Sequence, residues 1–417
     1  MIRLLLVSLF FTSLSLQANG LANPLTLGEA LKLAKQQNLD EQQQVLNIEL
    51  DQAEVLSYED FYKPTATIDL QLGRRDSENS GTNNSHAFLK VSQILFDQNT
   101  AIKQTQSEGD LSLSKLKLKT LEDKKILQIM RAFFDVVLAD MRYETVLQRL
   151  AISAIREGRI RDDYEQKSAS EVALLEKQTQ TQLDVGKRIE AESKQISTRA
   201  KLAQLLNVAY ENRPDELVRP NFKSLLQQAP QEFEVWQAKV TASNPRLNEL
   251  NQELIQLKQT LSQEKNNHEI LLVSSARLGE QGYQREKNGN WRVGLNLTMP
   301  LGDSSAQKKK IAQLLVKIKQ KKLSIEQYKH VLNQEALALF LKLKTLKQTH
   351  KALVTELDYR DLYLELARAN YEMQIKSDIG YAMTNLTDTE WKLAKNEFDY
   401  VVTLTKLKQL AGENYAL

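Results

Sequence analysis

The sequence predicts a mainly α-helical protein with a small β part, assembled from two copies of one helix-strand-strand-helix unit. Three observations carry this. Two stretches, Leu89-Lys-Val-Ser-Gln-Ile-Leu-Phe-Asp97 and Leu295-Asn-Leu-Thr-Met-Pro-Leu-Gly-Asp303, each end an alternating pattern just before a very long helical one. The spacing between them, about two hundred residues and far longer than a solenoid repeat, recurs along the chain: Asn38 answers to Asn244, Tyr164 and Ser170 to Tyr371 and Ser377, and Leu202-Ala-Gln-Leu205 to Leu407-Lys-Gln-Leu410. Glycine and proline are scarce, 14 and 7 in 417 residues, which favours extended helices over disorder.

The chain opens on an export signal. Arg3 supplies the positive start, Leu4 to Leu16 the apolar stretch and Gly20-Leu21-Ala22 a small-residue cleavage site. Residues 1–22 are thus read as signal peptide, 23–213 as the first repeat, 214–231 as a linker marked by Pro214, Pro220 and Pro230, and 232–417 as the second repeat. Each repeat is mostly thin helix with little surface to bury alone, so the linker does not separate independent domains. No later segment approaches the roughly 18 to 20 apolar residues of a membrane-spanning helix. An exported chain without cysteine has no disulfides and no thiol for lipid attachment, so packing or assembly must stabilise it.

Taken in order, each copy begins with a helical pattern, Leu27 to about Tyr62 and Phe233 to about Asn267. Strand patterns follow near 64–73, 86–96, 270–279 and 291–300. Ala66, Ile68, Leu70 and Leu72 alternate with Thr67, Asp69 and Gln71, and Trp291, Val293, Leu295, Leu297 and Met299 alternate with Arg292, Gly294, Asn296 and Thr298. Period two means one apolar and one polar face. The polar segments Gly73 to Ser85 and Gly279 to Asn290 read as exposed hairpin loops, and Pro64 and Pro300 stand where they spare the ladder. Four strands cannot close a barrel, yet their length suits a tilted membrane strand of about nine residues. In a membrane, several chains would have to share one barrel; a small soluble sheet packed on the helices fits the periodicity equally.

The long helical patterns run from Gln98 to Asp163 and from Ser304 to Asn370, without proline and with Gly109 and Gly158 as the strongest breakers. Continuous, either would reach on the order of 100 Å. Ile311, Ile318, Ile325, Leu332, Leu339, Leu346 and Leu353 hold one heptad position in succession, which specifies supercoiled packing against neighbouring helices. The companion position mixes Leu314 and Tyr328 with Lys321 and Glu335, a narrow seam with wet flanks. A wall of helices side by side or a soluble coiled coil would both produce it.

Catalysis is not indicated. His86, His268, His330 and His350 lack metal-site spacing and read as surface or loop residues, and no nucleophile elbow, phosphate loop or dinucleotide fingerprint occurs, so neither an enzyme nor a cofactor is expected. Lys308, Lys309, Lys310, Lys317, Lys319, Lys321 and Lys322 read as a solvated helix face; without interleaved aromatics they do not suggest nucleic acid. The segments Tyr164 to Glu171 and Tyr371 to Asp378 interrupt the long helices with serine followed by an acid, the pattern of a helix cap, and so read as turns between antiparallel helices. If such turns form the mouth of a duct, Glu171, Lys376, Ser377 and Asp378 are the candidate aperture residues. For strands in a membrane, Phe88, Phe96, Tyr283 and Trp291 are the candidate interfacial aromatics.

Phe88-Leu-Lys-Val-Ser-Gln-Ile-Leu-Phe-Asp97 and Val293-Gly-Leu-Asn-Leu-Thr-Met-Pro-Leu301, with the signal peptide and the duplicated unit, resemble the TolC family of outer-membrane efflux proteins over essentially the whole mature chain. The resemblance implies a homotrimer whose chains each give four strands to a twelve-stranded β-barrel in outer-membrane lipid, continued by a long α-helical barrel in the periplasm. It implies a passive exit duct for efflux or protein secretion, working with a periplasmic adaptor (membrane fusion) protein and an inner-membrane pump or ABC-type secretion transporter. The chain departs from the family at the helix turns: Lys167 and Gln374 stand where glycine is usual, and Ala173 and Gly380 where an aspartate is usual. The alternative expectation is a soluble periplasmic coiled-coil adaptor or scaffold, which would be released with the soluble periplasmic fraction.

Overall fold

The computed structural model describes residues 24–36, 39–75, 82–83, 85–227, 231–281, 291–300, 302, 305–373 and 378–413. The export signal expected at residues 1–22 lies outside them.

Both copies repeat one order of elements. The first runs α1 (Leu27–Gln36), α2 (Leu39–Phe61), β1 (Thr65–Gln71), the short pair β2 (Arg74–Arg75) and β3 (Thr82–Asn83), β4 (His86–Asp97), α3 (Gln98–Glu165) and α4 (Glu171–Leu205). After α5 (Lys223–Gln227), the second runs α6 (Phe233–Ser243), α7 (Pro245–Lys265), β5 (Leu271–Gln281), β6 (Trp291–Thr298), α8 (Ser305–Glu372) and α9 (Ile379–Leu410). Helices α3 and α8 are each 68 residues long and uninterrupted. Asp97 starts α3 as its cap: the Asn99 amide donates to Oδ1 at 3.1 Å and the Thr100 hydroxyl to Oδ2 at 2.5 Å. Its counterpart Asp303 lies outside the described residues.

The helix that opens the second copy is divided, where the sequence suggests one continuous run. In the second copy the break is at Asn244, extended at φ −60 and ψ 123, with Pro245 as the first residue of α7. Proline lacks an amide N–H to continue the ladder and disfavours the helical conformation at the residue before it. The Asn244 side chain then caps α7, accepting from the Leu247 amide at 2.9 Å.

The chain forms two compact units, each drawing on both repeats: Met1–Gln37, Gln128–Lys223 and Leu353–Lys395 make the first, and Asn38–Leu127, Ser224–Ala352 and Asn396–Leu417 the second. In the first unit Ile129, Met130, Phe133 and Val136 of α3 are fully buried, and Phe134 packs edge-on against Phe222 at 5.8 Å. Leu25 is fully buried there, joined to the chain near Leu217 by hydrogen bonds from its amide to the Glu216 carbonyl and from the Val218 amide to its own carbonyl. In the second unit Trp236, Val240, Leu247 and Leu250 close on Ile325, Leu332 and Leu343 of α8 and on Tyr400 and Leu407 of α9. Ile325 and Leu332 belong to the heptad seam. Its wet companion positions are occupied by ion pairs, Lys321 with Glu253 and Glu335 with Lys406, so a charged flank there is compatible with close packing.

The second unit also holds a four-stranded antiparallel sheet in the order β1-β4-β5-β6. Its register pairs Ile68 with Leu89, Leu89 with Leu278 and Leu278 with Trp291, so one face carries these residues together with Leu70, Val91, Val293, Leu295 and Leu297. The opposite face carries Thr65, Thr67, Ser92, Ser275, Gly294 and Asn296.

Candidate functional site

The sheet presents its apolar face to the outside. Trp291 is 70% exposed, Leu295 71% and Ile68 73%, although β-branched and aromatic side chains in a strand normally lie against a core. Strands β1 and β6 stand at the edges of this sheet, each hydrogen-bonded along one side among the described residues.

Of the four candidate interfacial aromatics, Trp291 lies on the apolar face. Phe96 reaches the same face through a β-bulge: the register slips between Ile94 and Phe96, which sets Phe96 opposite Leu272 and leaves it 45% exposed. Phe88 lies on the polar face, opposite Asp69 and Gly279, buried beneath the Arg277 guanidinium 4.2 Å above its ring and stacked on His86 at 4.9 Å. Gly279 allows this, since a Cβ there would fall 2.7 Å from the Phe88 ring and its φ of +155 is one that side chains rarely adopt. Tyr283 lies outside the described residues.

The helix turns belong to the first unit. Between α3 and α4, Lys167 takes a left-handed φ of 59, the conformation for which glycine is the usual residue. Ser170 caps α4 by accepting from the Ala173 amide at 3.2 Å, and Glu171 is exposed at the first position of the helix. Between α8 and α9 the acid itself is the cap: Asp378 Oδ1 accepts from the Tyr381 amide at 2.9 Å, while Oδ2 meets the guanidinium of Arg156 from α3. Lys376 and Ser377 lie outside the described residues. Gly380 sits so close to α3 that a Cβ would fall 2.8 Å from Ile152 Cγ2, a packing reason for glycine where the resemblance implies an aspartate.

Further polar ties in this unit combine local helix pairs with contacts between residues far apart in the chain, and the distant ones escape sequence patterning. Asp388 accepts from Arg142 at 2.8 Å and pairs with Lys392 at 2.9 Å; burial pushes its carboxyl up, but hydrogen bonds and charge from these two cations outweigh burial and hold it below its ordinary range. Arg142 also lies over the Trp391 ring at 5.3 Å, and Trp391 Nε1 donates to the Leu138 carbonyl at 3.0 Å. The Arg199 guanidinium grips Asp140 through two bonds of 2.7 and 2.9 Å. Asp184, nearly fully buried, accepts from Gln180 and Lys187 at 3.0 Å each; burial raises its carboxyl, and these donors bring it below its ordinary value. A cavity of about 270 Å³ beside them is lined by Arg149, Ile152, Arg156, Asp184, Gly380 and Thr384.

No group of three or more metal-ligating side chains occurs among the described residues, and none of their helices is long and apolar enough to cross a membrane. His350 is less exposed than a loop residue, at 3.4 Å from Glu397 within the second unit. In the lysine run of α8, Lys310 pairs with Glu264 and Lys321 with Glu253, so part of that face is neutralised by α7.

No protein-family model matches the sequence, and comparison with curated proteins finds no match. Solved structures do match. The CmeC outer-membrane channel of Campylobacter jejuni has a TM-score of 0.75 at 12% identity over 93% of this chain and 85% of that one. The open state of the MtrE outer-membrane channel of Neisseria gonorrhoeae has 0.73 at 13% identity over 93% and 89%. The outer-membrane protein VceC of Vibrio cholerae has 0.71 at 10% identity over 94% and 97%. The chain has the fold of the TolC-like outer-membrane channels.

Proposed function

We propose that this protein is a subunit of an outer-membrane channel, a passive exit duct that does no chemistry on what it carries. The observation that carries the proposal is the open four-stranded sheet with one apolar, exposed face and two edge strands. Exposed edges and a large apolar surface are both liabilities in water. Three copies pooling their sheets into one twelve-stranded barrel would pair every edge and give the apolar face to lipid. Trp291 and Phe96 on that face suit the headgroup boundaries. A soluble coiled-coil adaptor leaves the sheet unexplained.

In this proposal α3, α4, α8 and α9 of three chains line a periplasmic conduit. A periplasmic adaptor and an inner-membrane pump or secretion transporter deliver the cargo and supply the energy. Asp378, with Arg156, and Glu171 stand at turns that would border the periplasmic mouth. Extraction of the protein from outer membranes tests the proposal: a detergent-dependent trimer giving discrete conductance steps in planar bilayers is expected. Release as a monomer with the soluble periplasmic fraction would overturn it.

A further inference from the structure

Three cations stand in one row across the polar face of the sheet. Lys90 of β4 is opposite Arg277 of β5, and Arg277 is opposite Arg292 of β6. All three are exposed. Like charges directly opposite on neighbouring strands repel and destabilise the pairing, so local strand stability does not account for the row. Among the described residues none of the three makes an ion pair with a carboxylate. The nearest acid on that face in the register is Asp69, opposite Phe88, and it sits 3.4 Å from His86. Arg277 is held in place from below by the Phe88 ring at 4.2 Å, which fixes a guanidinium without neutralising it.

Resting on the proposed barrel, in which this face turns to the lumen, we propose that Lys90, Arg277 and Arg292 form a cationic girdle that selects for anions and binds solutes carrying several negative charges. Three chains would bring three such rows to one height of the pore. Rings of arginine and lysine favour anion and phosphate passage, and a narrow wall of one sign raises the local concentration of the opposite one. Guanidinium groups add bidentate recognition of phosphate or carboxylate oxygens. The lysine run of α8 is less suited, because Lys310 and Lys321 already face glutamates.

Reversal potentials in planar bilayers under a potassium chloride gradient test this. The unmodified protein is expected to prefer chloride and to be blocked by inorganic tripolyphosphate. The triple variant Lys90→Gln, Arg277→Gln, Arg292→Gln should lose several-fold in the chloride-over-potassium permeability ratio and escape the block, while Lys319→Gln with Lys322→Gln changes neither. A conducting but cation-preferring protein, or a triple variant with unchanged selectivity, would overturn the girdle and leave the channel standing. Absence of any conductance from the unmodified trimer would instead overturn the channel itself. If the triple variant does not assemble, the selectivity and tripolyphosphate block of the unmodified protein decide alone.

Discussion

The two helix turns occupy equivalent places in the repeat, yet their acids are used differently. At the first turn Ser170 caps α4 and Glu171 is left exposed to solvent. At the second, Asp378 caps α9 with one oxygen and meets Arg156 of α3 with the other. One turn is self-contained, and the other is tied to a neighbouring helix. Duplication supplied two similar segments, and a shift of the cap by one position, from serine to the acid that follows it, was enough to connect one of them to the rest of the bundle. If these turns border a mouth, the tied one is where a change of charge would be felt.

The largest effect is expected where that tie is packed most closely. Gly380→Asp would place a side chain 2.8 Å from Ile152 Cγ2, and overpacking of this kind costs about 1–3 kcal/mol. Thermal unfolding of the detergent-solubilised protein should show the loss, and Ile152→Ala in the same chain should restore part of it. A Gly380→Asp variant as stable as the parent would mean that α9 stands off from α3 more than its geometry indicates.

Next comes the cap. Asp378→Ala removes a capping oxygen, a loss of about 1 kcal/mol, together with an ion pair to Arg156 whose side chains are roughly half exposed, which adds only a few tenths of a kcal/mol. Glu171→Ala should stay within about 0.5 kcal/mol of the parent. In bilayer recordings Asp378→Ala is expected to raise conductance where Glu171→Ala alone does not. Equal effects of the two substitutions would erase the distinction between the turns.

Acid should act on the tied side as well. Asp388 titrates lower in the folded chain than in the unfolded one, so its pairing with Arg142 and Lys392 stabilises the fold above the unfolded carboxylate value of about 4. That contribution is lost as pH falls through the folded value. Asp388→Asn should therefore lower stability at neutral pH and flatten its decline on acidification, measured as melting temperature against pH. A decline as steep as the parent's would show that this cluster holds no part of the acid sensitivity.

These contrasts mark what the sequence could convey. The strands were legible because apolar residues such as Leu295 and Leu297 alternate with Asn296 and Thr298, and α3 and α8 because sixty-odd residues pass without a proline. The break at Asn244-Pro245 was written in the local chemistry of proline but is easily merged into one helical run. Phe96 was named from its type and place, but its face was not legible, because a bulge changes the face of every residue beyond it and leaves no local signature. The pairing of Arg156 with Asp378 and the approach of Gly380 to Ile152 join residues more than two hundred positions apart, so only the packed helices bring them into view. The cation row needed the register of three strands, which alternation alone does not set.

The smallest effect is at Lys167, and it isolates the self-contained turn. A left-handed backbone costs a residue with a Cβ about 1–2 kcal/mol relative to glycine, while glycine gives back about 0.5–1 kcal/mol through the greater freedom of its unfolded chain. Lys167→Gly should therefore raise stability by a few tenths of a kcal/mol to about 1 kcal/mol. Lys167→Ala keeps the strained backbone and should raise nothing. The turn's own bonds do not involve the lysine side chain: the Lys167 amide donates to the Tyr164 carbonyl at 2.9 Å and the Ser168 amide to the Asp163 carbonyl at 2.8 Å, and both survive either change. A gain with glycine but not alanine would place the effect in the backbone of this turn alone. A gain with both would place it in the removed lysine charge, and the first turn would then be coupled to its surroundings after all.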